Sequence, residues 1–127
     1  MWQRALTSGS GGGGGDSFVE KGYFYLMTQT NPLTSNTANY SNDLSLLQSM
    51  STNRNAVLIY HNDGTKSSFS ATNGGGQMSV YGIKDNVLTY LNGNVGGGTI
   101  TASISAYDYV LFSSMQNSAQ ATSITIS

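Results

Sequence analysis

His61 is the only imidazole in the chain, so any histidine-dependent dyad or triad would have to be built on it. It closes the apolar run Ala56–Tyr60 and precedes Asn62-Asp63-Gly64, and reads as a histidine at a turn or on the surface. No serine lies in a Gly-x-Ser-x-Gly elbow, the strand-to-helix turn that presents a nucleophile. A glycosidase needs two carboxylates facing one bond. The carboxylates here are Asp16, Glu20, Asp43, Asp63, Asp85 and Asp108. Asp16 and Glu20 follow a glycine run. Asp43, Asp63 and Asp85 fall at expected caps and turns, where an Asp side chain accepts backbone hydrogen bonds. Only Asp108 falls inside an expected strand. The chain therefore reads as non-enzymatic. It has no calcium-loop run of alternating Asp and Asn, and one His with no Cys cannot supply a zinc ligand set. The glycine triplets beginning at Gly74 and Gly96 lack the Gly-Lys-Ser/Thr that completes a phosphate loop. No metal and no cofactor are expected.

One recognition chemistry needs no charge. Sugars bind to aromatic faces, with amide and carboxylate groups for their hydroxyls. Tyr81, Tyr90, Tyr107 and Tyr109 could supply platforms, and Asn73, Asn92 and Asn94 lie in adjacent expected loops. The other reading of the same residues is structural: tyrosines that fill the core or shield edges, and asparagines that make turns.

The composition narrows the class. Charged residues make up 9% of the 127, with five Lys and Arg against six Asp and Glu, whereas a soluble domain usually carries roughly 25%. Five cations are too few for a phosphate-binding face, so nucleic acid is not an expected partner. The absence of cysteine excludes a disulfide scaffold. Ser, Thr, Asn, Gln and Gly make up about half the chain, yet 38% of residues are hydrophobic and eight are tyrosine. That combination is unlike a disordered chain, which pairs low hydrophobicity with high net charge. It fits an all-β extracellular or viral domain. The run Ala56–Tyr60 is too short to cross a bilayer, so no membrane partner is expected.

The elements that would position these residues are mostly strands. Tyr23–Thr28 is a dense aromatic and apolar run ended by Asn31-Pro32. Leu44, Leu46, Leu47 and Met50 fit either a short helix, with Asp43 as its N-cap, or an edge strand. Ala56–His61 and Lys66–Thr72 flank Asn62-Asp63-Gly64, which reads as a hairpin. Gln77–Ile83 and Val87–Leu91 read as a second hairpin around Lys84-Asp85-Asn86, with Asn92-Gly93-Asn94 turning the chain afterwards. In Thr99–Ser105, Ile100, Ala102 and Ile104 alternate with polar residues. Tyr107–Ser113 puts Val110 and Phe112 on one face and Tyr109 and Leu111 on the other. Thr122–Ser127 turns Ile124 and Ile126 inward. About eight strands at this spacing predict an antiparallel β-sandwich of jelly-roll type. The domain spans 17–127, behind a 1–7 leader and an 8–16 glycine-rich tether. Uncharged strands with three lysines as edge guards invite self-pairing, and a closed homotrimer through Thr99–Ser127 is expected.

Met1-Trp2-Gln3-Arg4-Ala5-Leu6 followed by the Ser/Gly run resembles the leaders of small virion-associated proteins of tailed bacteriophages from gut bacteria. The remainder is similar to phage tail and head fibre β-domains in composition and strand rhythm. The resemblance implies a leader docked through Trp2, Arg4 and Leu6 to other virion proteins, a tether, and a displayed β-domain with cell-surface glycan as its candidate ligand. With no secretory signal in view, such a protein is made in the host cytoplasm and resides in the virion. A soluble intracellular inhibitor or ligand-sequestering protein is the alternative.

Overall fold

The computed structural model describes residues 19–27, 40–49, 56–114 and 121–127. The leader residues Trp2, Arg4 and Leu6, the tether, the Asn31-Pro32 turn and Met50 lie outside them. The described chain forms β1 (Phe24–Met27), β2 (Tyr40–Ser41), α1 (Ser45–Ser49), β3 (Ala56–His61), β4 (Ser68–Asn73), β5 (Gln77–Lys84), β6 (Val87–Val95), β7 (Gly98–Ser103), β8 (Tyr109–Ser114) and β9 (Ala121–Ile126).

All pairing is antiparallel. A six-stranded sheet runs β2-β1-β3-β8-β5-β6, and a three-stranded sheet runs β7-β4-β9. From β3 onward the chain passes repeatedly between the two sheets, and only β5 and β6 are consecutive neighbours. This is the rolled order of a jelly roll, which in its symmetric form has four strands per layer. Here β1 and β2 extend the large sheet. α1 packs against β9 and puts Leu47 into the core.

The alternation expected of the strands sets the interior. Leu26, Leu58, Phe112 and Val80 share one inner row across the large sheet. Ile100, Ala71 and Ile124 form a row across the small one. Phe69 meets Phe112 across the sandwich, ring centroids 5.4 Å apart. Each such side chain contributes on the order of 1.5–3 kcal/mol by leaving water. The outer face of the large sheet is apolar as well. Val19, Tyr25, Ile59, Ile83, Tyr109 and Leu111 are buried there in a second cluster.

Several boundaries differ from the sequence expectation. The helix alternative holds over Ser45–Ser49, with Asp43 at its start accepting from the Ser45 N–H. β3 and β4 are not a hairpin, because they belong to different sheets. Asn62, buried at the crossing, donates Nδ2 to Lys66 O and Ile104 O (3.0 and 3.2 Å), and its Oδ1 accepts from the Gly64 N–H (3.0 Å). Its side chain thus holds the crossing open where a two-residue turn would have closed it. Asn92-Gly93-Asn94 does not turn the chain either, since β6 continues to Val95 past a bulge opposite Val80/Tyr81. Gly93 serves a close approach: a Cβ there would stand 2.7 Å from Met78 O and from Tyr90 Oη. The turn comes at Gly96, Gly97 and Gly98, whose φ values of 93°, 112° and 115° suit glycine.

Candidate functional site

The four tyrosines singled out for sugar binding, with Asn92 and Asn94, do not form one surface. Tyr81 and Tyr90 are cross-strand neighbours on the outer face of the large sheet, edge to face with centroids 5.6 Å apart. Tyr109 shares that face but is buried, stacked on His61 at 4.1 Å. Tyr107 sits before β8 with its ring against Gly82, on the inner side. Asn92 and Asn94 register with Val80 and Met78, the inner row, away from Tyr81 and Tyr90. Asn92 donates Nδ2 to Thr101 O at 2.7 Å and accepts from the Gly93 N–H at 2.8 Å, so it fastens β6 to β7 across the sandwich edge.

His61 is buried, not on the surface. A carbonyl only accepts, so His61 Nδ1–H donates to Val19 O, at 2.7 Å. Burial holds its pKa below the usual value, with the bond to Val19 opposing. Among the described residues no hydroxyl is hydrogen-bonded to it, so no nucleophile and base are paired there. Asp108 precedes β8, half exposed, and pairs with Lys84 at 3.5 Å. No group of three or more His, Asp or Glu side chains among the described residues could hold a metal ion.

The side chains that do converge come from three loops at one end of the sandwich. Lys21 and Gly22 precede β1, Asn42–Leu44 precede α1, and Asp63, Thr65 and Lys66 lie in the crossing from β3 to β4. With Tyr60 they line a polar cleft of about 390 Å³. The Gly22 N–H donates to His61 O at 2.8 Å, which ties the first loop to the end of β3. Gly22 has φ +82°, and a Cβ on it would approach Asp63 Oδ2 to 3.3 Å.

The two aspartates are held alike. Asp43 Oδ1 accepts from the Ser45 N–H at 3.1 Å and the Ser45 hydroxyl at 2.6 Å. Asp63 Oδ1 accepts from the Thr65 N–H at 3.0 Å and the Thr65 hydroxyl at 2.6 Å. These Thr65 bonds hold the Asp63 carboxyl below the usual carboxylate range. In both residues Oδ2 has no hydrogen bond among the described residues. Among the described residues neither Lys21 nor Lys66 forms an ion pair, the Lys84–Asp108 contact being the only one. Burial, followed by the Asp63 charge, pushes the Tyr60 phenol up to about 12, and the Asp63 backbone opposes the upward shift.

Sequence reasoning placed Asp43 and Asp63 at a cap and a turn, and their Oδ1 atoms act there. It missed the second oxygen of each and the two lysines. The shared signal was Asp-x-Ser/Thr, at Asp43-Leu44-Ser45 and Asp63-Gly64-Thr65.

No family model and no curated protein matches the chain. A solved structure that aligns with it is the X-ray structure of GH31 CBM32-2 bound to GalNAc. The match has 9% identity and a TM-score of 0.45, and covers 59% of this chain and 65% of that one.

Proposed function

We propose that this chain is a non-enzymatic adhesion module of a phage particle, a fibre or decoration protein. Its β-domain takes a neutral cell-surface glycan in the cleft between Lys21, Asp43, Asp63 and Lys66, and residues 1–16 attach it to other virion proteins. The cleft itself carries the reading. Among the described residues, two carboxylates are each fixed through one oxygen with the other left over, and two ammonium groups without ion pairs line the same cleft. A sugar hydroxyl both donates and accepts, so a lining that offers both acceptors and donors suits a polyhydroxyl ligand. Two positive and two negative groups cancel, which favours a neutral ligand over an anion or a cation.

The test has two arms. The full chain is screened on a glycan array and hits are titrated by calorimetry. Asp63→Asn with Lys66→Ala should abolish the binding while the circular dichroism stays that of the parent. Deleting residues 1–16 should remove the protein from purified particles. An array without hits would overturn the ligand assignment. Normal incorporation of the truncated chain would overturn the attachment role, and absence of the full chain from particles would favour a soluble sequestering protein.

A further inference from the structure

β6 ends the six-stranded sheet and, among the described residues, pairs on one side only, with β5. It is the longest strand described, nine residues, with no charge and no proline. The large hydrophobic side chains exposed among the described residues are Val87 (59%), Leu88 (41%), Tyr90 (60%) and Val95 (74%). All four are on this strand. Natural edges are usually shortened, charged or covered. The opposite edge, β2, is two residues long, while among the described residues β6 has none of these protections over Val87–Leu91. Nearer its end, Asn92 fastens it to β7.

The hairpin register shows which backbone groups are free. Lys84 and Val87 flank a two-residue turn in which Asp85 and Asn86 have φ 52° and 66°, the primed geometry of tight hairpins. In such a hairpin the flanking pair exchanges hydrogen bonds, and pairs then alternate along the ladder. Val87 and Thr89 therefore spend their N–H and C=O groups on β5. Leu88 and Tyr90, in the non-bonded pairs with Ile83 and Tyr81, point theirs at the open edge. The two residues with unpaired backbone groups thus also carry exposed apolar side chains.

We infer that β6 is a self-complementary interface on which a second copy of this chain docks edge to edge, antiparallel, about a twofold axis at Thr89. In that register Leu88 and the partner's Tyr90 exchange both backbone hydrogen bonds, and so do Tyr90 and the partner's Leu88. On the outer face each Tyr90 ring stands between its own Tyr81 and the partner's Leu88, an aromatic–aliphatic pairing that stabilises antiparallel strands. An uncharged strand meets its own copy without like-charge repulsion. Antiparallel self-pairing is isologous and closes at two copies, so it gives a dimer and not the trimer expected from Thr99–Ser127. One strand edge buries less than the roughly 800 Å² per partner of a standard interface, and the dimer is accordingly concentration-dependent. This inference does not rest on the cleft or on its ligand.

Light scattering after size exclusion tests it on the full chain, from about 10 μM to about 1 mM, the range of small transient interfaces. The mass should climb from 13.4 kDa toward twice that value. Leu88→Lys and Tyr90→Lys should each abolish the rise, and Val95→Lys should leave it unchanged. A second measurement stands independently of these variants. Thr89 would face the partner's Thr89 as a non-bonded pair, with Cα atoms about 4.5 Å apart, within disulfide range. Because the chain has no cysteine, Thr89→Cys should oxidise to a covalent dimer, while Ser105→Cys, exposed in the turn after β7, should not. A monomer at every concentration, a trimer, a dimer indifferent to Leu88→Lys and Tyr90→Lys, or a Thr89→Cys chain that fails to cross-link would each overturn the assignment.

Discussion

Tyr107 packs its ring directly on Gly82: a Cβ at Gly82 would lie 2.4 Å from Tyr107 Cγ and 2.5 Å from Cδ1. Gly82 sits in the inner row of β5, opposite Val110, and the ring fills the space a side chain would have taken. Tyr107 thus packs one part of its ring into the sandwich. Gly82→Ala should destabilise the fold by about 1–3 kcal/mol through overpacking, read as a fall in the denaturant midpoint. Combining it with Tyr107→Ala should cost less than the sum of the two single changes, because one removes the clash created by the other. Additive losses would show that the ring does not rest there.

Asn62 makes the second prediction. Its amide bonds two carbonyls and two N–H groups at the β3–β4 crossing, and it is buried. Orphaning a buried polar group costs about 1–3 kcal/mol. Asn62→Ala should therefore lower stability by about 2–4 kcal/mol, taking more than one orphan into account. Asn62→Asp should fall in the same range, since a carboxylate cannot donate to Lys66 O and Ile104 O. Chemical denaturation of both variants checks this, and a loss under 0.5 kcal/mol, the usual effect of a plain surface substitution, would contradict it.

The strands that cover one side of the core were legible in the sequence. Ile100, Ala102 and Ile104, and Ile124 with Ile126, alternate strictly with polar residues, and period-two alternation identifies a face directly. β8 showed the limit of that signal. Tyr109–Phe112 is apolar on both faces, and both are buried, which alternation alone cannot separate into inside and outside. Asn62-Asp63-Gly64 carried a hairpin signature whose distant partners, Lys66 O and Ile104 O, have no local trace. Asn92-Gly93-Asn94 carried a turn signature that belongs instead to a bulged strand, where the glycine is needed for the approach of Met78 O. The cleft was the least legible part. Lys21, Asp43 and Asp63 are about 20 residues apart in sequence and meet only because β1, α1 and β3 have ends at the same rim.

His61 contributes to the acid limb of stability. Its folded pKa lies below the ordinary 6.5 because burial penalises the imidazolium. The unfolded chain therefore takes up a proton at a higher pH than the native one. The contribution is fully present above pH 6.5 and is lost as pH falls from there through the folded pKa. Lys21 adds to the depression, while the Val19 bond, Asp108 and Asp63 oppose it. Melting temperature should drop on acidification from pH 7.5 to pH 5, and His61→Gln should flatten that slope. An equal slope in the variant would assign the acid sensitivity to the carboxylates.

Tyr60 contributes to the alkaline limb and reports on the cleft. Its phenol ionises at about 12 in the native protein against the ordinary 10.0, through burial first and the Asp63 charge second. Between pH 10 and about 12 the unfolded chain releases a proton that the folded chain keeps, so stability falls as pH rises across that window. Absorbance titration of phenolate should show a tyrosine that resists ionisation until about 12. Asp63→Asn removes the charge but not the burial. It should bring that pKa down part of the way and soften the alkaline loss of stability. An unchanged titration in Asp63→Asn would mean that the Asp63 carboxylate does not reach the phenol at the floor of the cleft.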